Sequence, residues 1–382
     1  MAQIKVVTVF GTRPEAIKMA PVCKALAERG EFHSVCCVTG QHRNLLPPIL
    51  RHYGITPQYD LQIMSHGQTL TDITSRVLLG LDDILKNEAP DLLMCHGDPT
   101  TAFAAALAAF YKKIPVGHVE AGLRTYERYS PYPEEMNRSL ISRIASLHFA
   151  PTAGNRKNLA AEGITDGVYV TGNTVIDAIN STTLPGYVFK TPMLAEILAK
   201  DAPVALLTAH RRENYGRPLE NICRAVRRIA ADFPDMSVVY PVHPGAHVRR
   251  TVFPMLEGVK NVYLTEPIDV FELHQLLARC RFVMTDSGGL QEEAPALGKP
   301  VLVLRNETER PEAVAAGTVM LVGVEEEPIV RAARALMTDP ELYERMSSAR
   351  NPYGDGHASE RITSAVLWHF GLSDQEPRDF AS

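Results

Sequence analysis

Short, β-branched apolar runs alternate with amphipathic or alanine-rich segments along nearly the whole chain, and this alternation constrains the fold more than any other feature. Runs with strand character fall at 4–10, 34–38, 92–95, 116–119, 147–150 and 168–170. After a break they resume at 204–208, 238–241, 262–264, 282–285, 301–304 and 319–322. Segments with helical patterning, such as 100–111 and 219–232, lie between them. Alternation of this kind signals parallel sheets covered by helices. At 382 residues the chain is also too long for one ordinary core.

Six strands, an interval and six more predict an α/β chain of two Rossmann-like domains in tandem. The expected limits are 1–172 and 173–357, with a helix at 358–372 packing back on the first domain and a polar tail after it. The interval contains Thr182-Thr183-Leu184-Pro185-Gly186, a plausible linker. Ligands of open parallel sheets bind beyond the carboxyl ends of the strands, so the expected active site is a cleft where two such domains face each other.

Composition narrows the partners. A net charge of −5 argues against nucleic acid or an anionic membrane, so an anionic ligand needs a local cluster of Arg, Lys and helix N-termini. No stretch reaches about 18 apolar residues, the length of a membrane span. The six cysteines are scattered, mostly in apolar runs and without a CxxC pair, which suits reduced thiols in a cytoplasmic protein.

The chemistry-bearing residues gather at strand ends. Asp286-Ser287-Gly288-Gly289-Leu290-Gln291-Glu292-Glu293 follows a strand and is predicted to open a helix. Such a junction aims backbone N–H groups and a helix dipole at one point, where a phosphate binds. Gly288 and Gly289 let the phosphate approach, and Glu293 is placed to reach a neighbouring sugar hydroxyl. The first strand ends in Gly11-Thr12-Arg13-Pro14-Glu15, where Thr12 and Glu15 have capping-box spacing and Arg13 and Lys18 flank a helix start. Asp98 and Glu120 end the third and fourth strands, and Glu134 follows in a proline-flanked segment. Carboxylates converging on one cleft suit proton transfer at a sugar carbon or stabilisation of positive charge there. The second domain opens with His210-Arg211-Arg212 at a strand end, a setting for a diphosphate, and Arg310 is a second candidate for nucleotide contact. His243 and His247 lack a third nearby ligand, so no metal is expected.

Absences decide the rest. No GxGxxG follows a strand and no GxxxxGK[ST] loop is present, which disfavours nicotinamide chemistry and a P-loop. There is no HExxH and no Asp-x-Asp.

With these clusters in place, the chain resembles the non-hydrolysing UDP-N-acetylglucosamine 2-epimerases of bacteria. The resemblance rests on GTRPEAIK at 11–18, HGDPTT at 96–101, VEAGLRT at 119–125, PYPEEMNR at 131–138, HRREN at 210–214, DSGGLQEEAP at 286–295 and TERPEA at 308–313. It implies a glycosyltransferase-B-like pair of domains and reversible C2 epimerisation of UDP-GlcNAc to UDP-ManNAc, with no cofactor, serving bacterial envelope or capsule polysaccharide. It implies catalytic roles for Asp98, Glu120, Glu134 and His210. UDP would lie against Ser287, Gly288, Gly289, Glu293 and Arg310, with Arg13 and Lys18 near the phosphates. A homodimer and a second, activating UDP-GlcNAc site are also implied. Gln41, His42, Gln68, Glu135, Arg211 and His243 match the segments of that second site, although His66-Gly67 stands where some relatives carry an Arg just before Gln68. A hydrolysing epimerase and a glycosyltransferase remain the alternatives.

Overall fold

The computed structural model describes residues 3–41 and 45–381. Its described residues form two all-parallel sheets. The first holds β1 (Ile4–Phe10), β2 (Phe32–Val38), β3 (Tyr59–Asp60), β4 (Leu92–His96), β5 (Val116–Val119), β6 (Leu147–Ala150) and β7 (Val168–Val170), in the order β3-β2-β1-β4-β5-β6-β7. The second holds β8 (Val204–Thr208), β9 (Ser237–Pro241), β10 (Val262–Thr265), β11 (Phe282–Thr285), β12 (Val301–Val303) and β13 (Val319–Leu321), in the order β10-β9-β8-β11-β12-β13. The expected fold class, α/β with two Rossmann-like domains, is therefore what the chain adopts. Strand β3 is the one strand that the pattern does not predict. It has two residues, pairs only as Cys37↔Tyr59 and Val38↔Asp60, and is too short to carry a periodicity.

Each sheet reverses its winding at one place. The chain leaves β1 for β2 on one side and β4 for β5 on the other; β8 to β9 and β11 to β12 repeat this in the second sheet. The crevices beyond the ends of the β1/β4 and β8/β11 pairs are thus the positions where ligands of doubly wound sheets bind.

The residues fall into two compact units. One runs to Ala178 and resumes at Tyr353; the other is Ile179–Pro352. In the first, Ile73, Val77, Leu81 and Leu85 recur every four residues along the helix Leu70–Glu88 and form its buried stripe. Each apolar side chain of this size stabilises the fold by about 1.5–3 kcal/mol through burial. The neighbouring helix Thr100–Tyr111 buries six alanines against it and against the sheet, because a helix so enclosed has no room for longer side chains. The returning helix Ala358–His369 packs on Arg13–Ala27 and is capped by Asp177, which accepts from the N–H groups of Ala358 (3.1 Å) and Ser359 (2.8 Å). The last residues are tied down as well. Asp379 pairs with Arg156 at 2.6 Å, and the Phe380 N–H donates to the Val170 carbonyl at 2.7 Å. In the second unit, the helix Arg217–Asp232 presents Leu219, Ile222, Cys223, Val226 and Ile229 to the core.

All six cysteines are buried and unpaired. Among the described residues no helix is long and apolar enough to cross a membrane, and no group of three or more His, Cys, Asp or Glu residues is placed to hold a metal ion.

Candidate active site

In the first unit the carboxyl ends of β1, β4 and β5 bring three acidic residues and their counter-ions together. The capping box expected at Thr12 and Glu15 is present, but Glu15 does more than cap. Its carboxylate is buried and accepts from the N–H groups of Gly11 (3.1 Å) and Thr12 (2.7 Å). Oε1 has no hydrogen-bond partner among the described residues, and burial pushes the pKa up to about 7. Asp98 follows β4 and meets Arg138 Nη2 at 2.7 Å. Burial nevertheless dominates. It lifts Asp98 to about 6 against the pull of Arg138, with the charges of Glu120 and Glu134 adding to the rise. A carboxylate tuned in this way can both accept and return a proton near neutral pH.

Glu120 follows β5 in an unusual backbone conformation, with φ +66°. Its carboxylate is held by two donors and faced by a third group. Lys18 donates to Oε1, Asn173 Nδ2 donates to Oε1 at 3.0 Å, and His96 Nε2 lies 3.7 Å from Oε2. Residues held in sparsely populated conformations persist where their surroundings over-determine them, as here. His96 is buried, and desolvation lowers it to about 4, so it stands beside Glu120 as a neutral ring. His118, behind it, is lowered to about 3 by the same cause and bonds the Gly97 carbonyl through Nε2 at 2.8 Å. Glu134 begins the helix Glu134–Ile144 immediately after the Tyr132-Pro133 bond, which is cis. Arg13 opens the helix after β1.

In the second unit, cations and donors gather at the ends of β8 and β11. The helix after β11 begins at Leu290, with Gly289 as its N-cap. Neither Gly288 nor Gly289 has a positive φ, so these glycines are not needed for a left-handed turn. A Cβ on Gly288 would come within 3.6 Å of Arg310 Nη2 and 3.7 Å of Arg211 Nη2. The missing side chain therefore leaves open the space on which two guanidinium groups converge. Arg310 is aimed by the buried Glu292, whose Oε1 accepts from Nε at 2.5 Å. Glu293 Oε1 stands 3.3 Å from where a Gly289 Cβ would be, and its other oxygen lies 3.7 Å from the buried His274. The Ser287 N–H is turned inward, donating to Thr285 Oγ1 at 2.9 Å.

His210 follows β8. Its ring stacks on that of His243, with centroids 5.4 Å apart and planes 15° apart. Its Nδ1 faces Asp286 Oδ1 at 3.7 Å. Burial lowers the pKa of His210, and Asp286 opposes that shift.

The expected residues thus separate cleanly. Lys18, Asp98 and Glu120 share one cluster in the first unit, with Glu134 close enough to influence Asp98. His210, Ser287, Gly288, Gly289, Glu293 and Arg310 share another in the second. Among the residues expected to form an activating site, Arg211 and His243 belong to this second cluster. Gln41 follows β2, and the side chain of Gln68 is engaged locally by the Ser65 N–H at 3.2 Å. Glu135 is buried, accepts from the N–H groups of Thr125 and Tyr126 at 3.0 Å each, and lies 3.5 Å from Arg138. His42 lies outside the described residues.

Sequence reasoning read Glu15 only as part of a capping box and assigned no role to His96, Arg138, Asn173, Asp286 and Glu292. All but Asn173 stand inside the motifs already quoted. Nothing in the sequence marks which motif residues are buried and which reach a ligand.

The model of the family described as UDP-N-acetylglucosamine 2-epimerase matches residues 24–367. The chain belongs to this family. The UDP-N-acetylglucosamine 2-epimerase of Bacillus subtilis is 51% identical over 381 residues, covering 100% of this chain and 99% of that protein. The enzyme of Escherichia coli K12 is 50% identical over 371 residues, covering 95% and 98%. Among solved structures, the UDP-GlcNAc 2-epimerase of Neisseria meningitidis bound to UDP-GlcNAc is similar with a TM-score of 0.86 and 48% identity, over 96% of this chain and 100% of that one.

Proposed function

We propose that the chain interconverts UDP-GlcNAc and UDP-ManNAc without hydrolysis, by eliminating UDP and adding it back. The C2 hydrogen of the sugar is not beside a carbonyl, so a side-chain base cannot remove it directly from the ground state. Cleavage of the C1–O bond sends its electron pair to the departing diphosphate and leaves an oxocarbenium-like sugar. The C2 proton is then acidic, and its loss gives 2-acetamidoglucal and free UDP. Protonation of C2 on the opposite face, with return of UDP to C1, gives the epimer.

The observation that carries this reading is Asp98. It is a desolvated carboxylate lifted to about 6 and set between Arg138 and two further acids, which suits a group that takes a proton and gives it back. Asp98 is assigned the proton on one face of C2 and Glu134 that on the other. Glu120, held by Lys18 and Asn173, is assigned to the developing positive charge. Arg310, Arg211 and His210 are assigned to the diphosphate, with Glu293 on a sugar hydroxyl. The UDP-GlcNAc bound in the Neisseria meningitidis structure supports the choice of substrate.

Incubation with UDP-GlcNAc alone and identification of the products tests the proposal. UDP-ManNAc is expected. Free ManNAc would point to a hydrolysing enzyme, and unchanged substrate would refute the reading. An Asp98→Asn protein is expected to bind UDP as the wild type does while epimerisation falls by about two orders of magnitude or more.

A further inference from the structure

Asp286 is the most completely enclosed carboxylate beside the second cluster, and its two oxygens are used unequally. The side chain is fully buried. Oδ2 accepts from the N–H groups of His210 (2.7 Å) and Arg211 (2.8 Å) and from Asn214 Nδ2 (3.0 Å). Oδ1 has no hydrogen-bond partner among the described residues, and His210 Nδ1 faces it at 3.7 Å. Hydrogen bonds to nitrogen close at about 2.7–3.2 Å, so a shift of roughly 0.5–1 Å in the ring completes this one. A buried carboxylate oxygen without a donor is costly, and the imidazole is the group placed to supply it.

The surroundings fix the ring further. His243 stacks on its face, and the His243 Nδ1 accepts from the Gly245 N–H at 3.0 Å, which puts the His243 proton on Nε2. The charged and titratable groups facing His210 are therefore Asp286 from the end of β11, His243 from the loop after β9, and Arg211 from its own loop.

We infer that Asp286 is the positioning residue of His210: by claiming the Nδ1 proton it leaves Nε2 to the ligand, so that an anionic diphosphate binds only with uptake of a proton on that nitrogen. The chemistry follows from the imidazole. With its single proton on Nδ1, a neutral ring presents a lone pair at Nε2, which repels a phosphate oxygen. Protonated, it donates through both nitrogens, to Asp286 and to the phosphate. The buried carboxylate thus makes a cationic histidine available when the leaving group acquires charge. Asp286 itself touches no substrate. This inference rests on the reading of the second unit as the UDP site and goes beyond it by assigning the protonation state in which UDP is held.

The test is UDP binding by calorimetry at about pH 7.5, where the terminal phosphate of UDP is already largely deprotonated, in two buffers of different ionisation enthalpy. The wild-type protein is expected to take up close to one proton per UDP bound. Asp286→Asn keeps an oxygen for the backbone N–H groups but presents an amide N–H to Nδ1. This forces the neutral ring to carry its proton on Nε2, so uptake is expected to fall close to zero while UDP still binds. His210→Gln, which leaves Asp286 in place, is expected to abolish uptake as well and gives the answer should Asp286→Asn not fold. No uptake by the wild type, or uptake that survives either substitution, would overturn the inference. Failure of the wild type to bind UDP would instead overturn the assignment of the site, and the inference with it.

Discussion

Replacing Arg138 by Met should move the pH–rate profile of epimerisation rather than merely lower it. Arg138 Nη2 lies 2.7 Å from Asp98 Oδ2, and it is the largest opposing influence on a carboxylate that burial has lifted to about 6. A neighbouring guanidinium depresses a carboxylate by about 1–3 pKa units, so its loss should carry Asp98 from about 6 to roughly 7–9. If Asp98 is the base that takes the C2 proton, the fraction ionised at pH 7 then drops from about nine-tenths to about one-tenth for a two-unit shift. The variant should be about tenfold slower at pH 7 and should approach the wild-type rate near pH 9. Initial rates of UDP-GlcNAc epimerisation across that range give the profile, and Glu135→Gln is the control. Glu135 also touches Arg138, at 3.5 Å, but is not among the main influences on Asp98, so the acid limb of that variant should stay in place. An Arg138→Met enzyme slowed equally at every pH would mean that Arg138 only shapes the pocket, and that Asp98 is not the titrating base.

Three further outcomes follow from the same geometry. Burial raises the pKa of Glu15 from its ordinary 4.5 to about 7, so the folded chain binds more protons between these values and stability must fall as pH rises through them. Glu15→Gln should flatten that slope and raise stability above pH 7 by up to about 3 kcal/mol, read by denaturant unfolding; an unchanged slope would show that Glu15 does not titrate there. Glu292→Gln weakens the 2.5 Å contact that aims Arg310 and should loosen UDP binding about tenfold, since hydrogen bonds to charged groups contribute about 1.5–3 kcal/mol. An unaltered dissociation constant would remove Glu292 from the site. Gly122 has φ +88°, and a Cβ there would sit 2.3 Å from the Asn155 carbonyl oxygen, so Gly122→Ala should cost at least about 2 kcal/mol; a thermal midpoint equal to that of the wild type would contradict the contact.

Much of the architecture was legible because parallel strands announce themselves by apolar runs between helical segments. What failed was the piece without a period: β3, whose two residues exist as a strand only through their pairing with β2. The candidate site was legible as a set of positions and not as a set of roles. Asp98, Glu120 and His210 could be placed at strand ends by counting. That Asp98 is lifted by burial, that Glu120 is clamped by Lys18 and Asn173, and that Asp286 lies beneath His210 all depend on distances between segments far apart in sequence. Glu15 shows the limit most plainly. Its spacing from Thr12 identified a capping box correctly, yet nothing local revealed that the same carboxylate is enclosed and titrates near neutrality.

Glu15 and Asp286 also explain an absence. In doubly wound sheets the loop after the first strand usually holds a phosphate on its glycine-rich backbone. Here the loop after β1 turns the N–H groups of Gly11 and Thr12 onto Glu15, and the loop after β8 turns those of His210 and Arg211 onto Asp286. In both units a buried carboxylate of the protein occupies consecutive backbone donors that would otherwise serve a ligand. With those donors taken, neither loop needs the GxGxxG pattern that close approach of a pyrophosphate demands. An anionic ligand is then left with the other side of the switch point. In the second unit that side is the β11 end, where Gly288 leaves open the space between Arg211 and Arg310. In the first unit the β4 end carries Asp98 instead, and the β5 end beside it carries Glu120. The two sheets thus differ in what surrounds the occupied loop: in the second the side chains of Arg211 and Arg310 converge beside Gly288, and in the first the carboxylates of Asp98 and Glu120 follow β4 and β5.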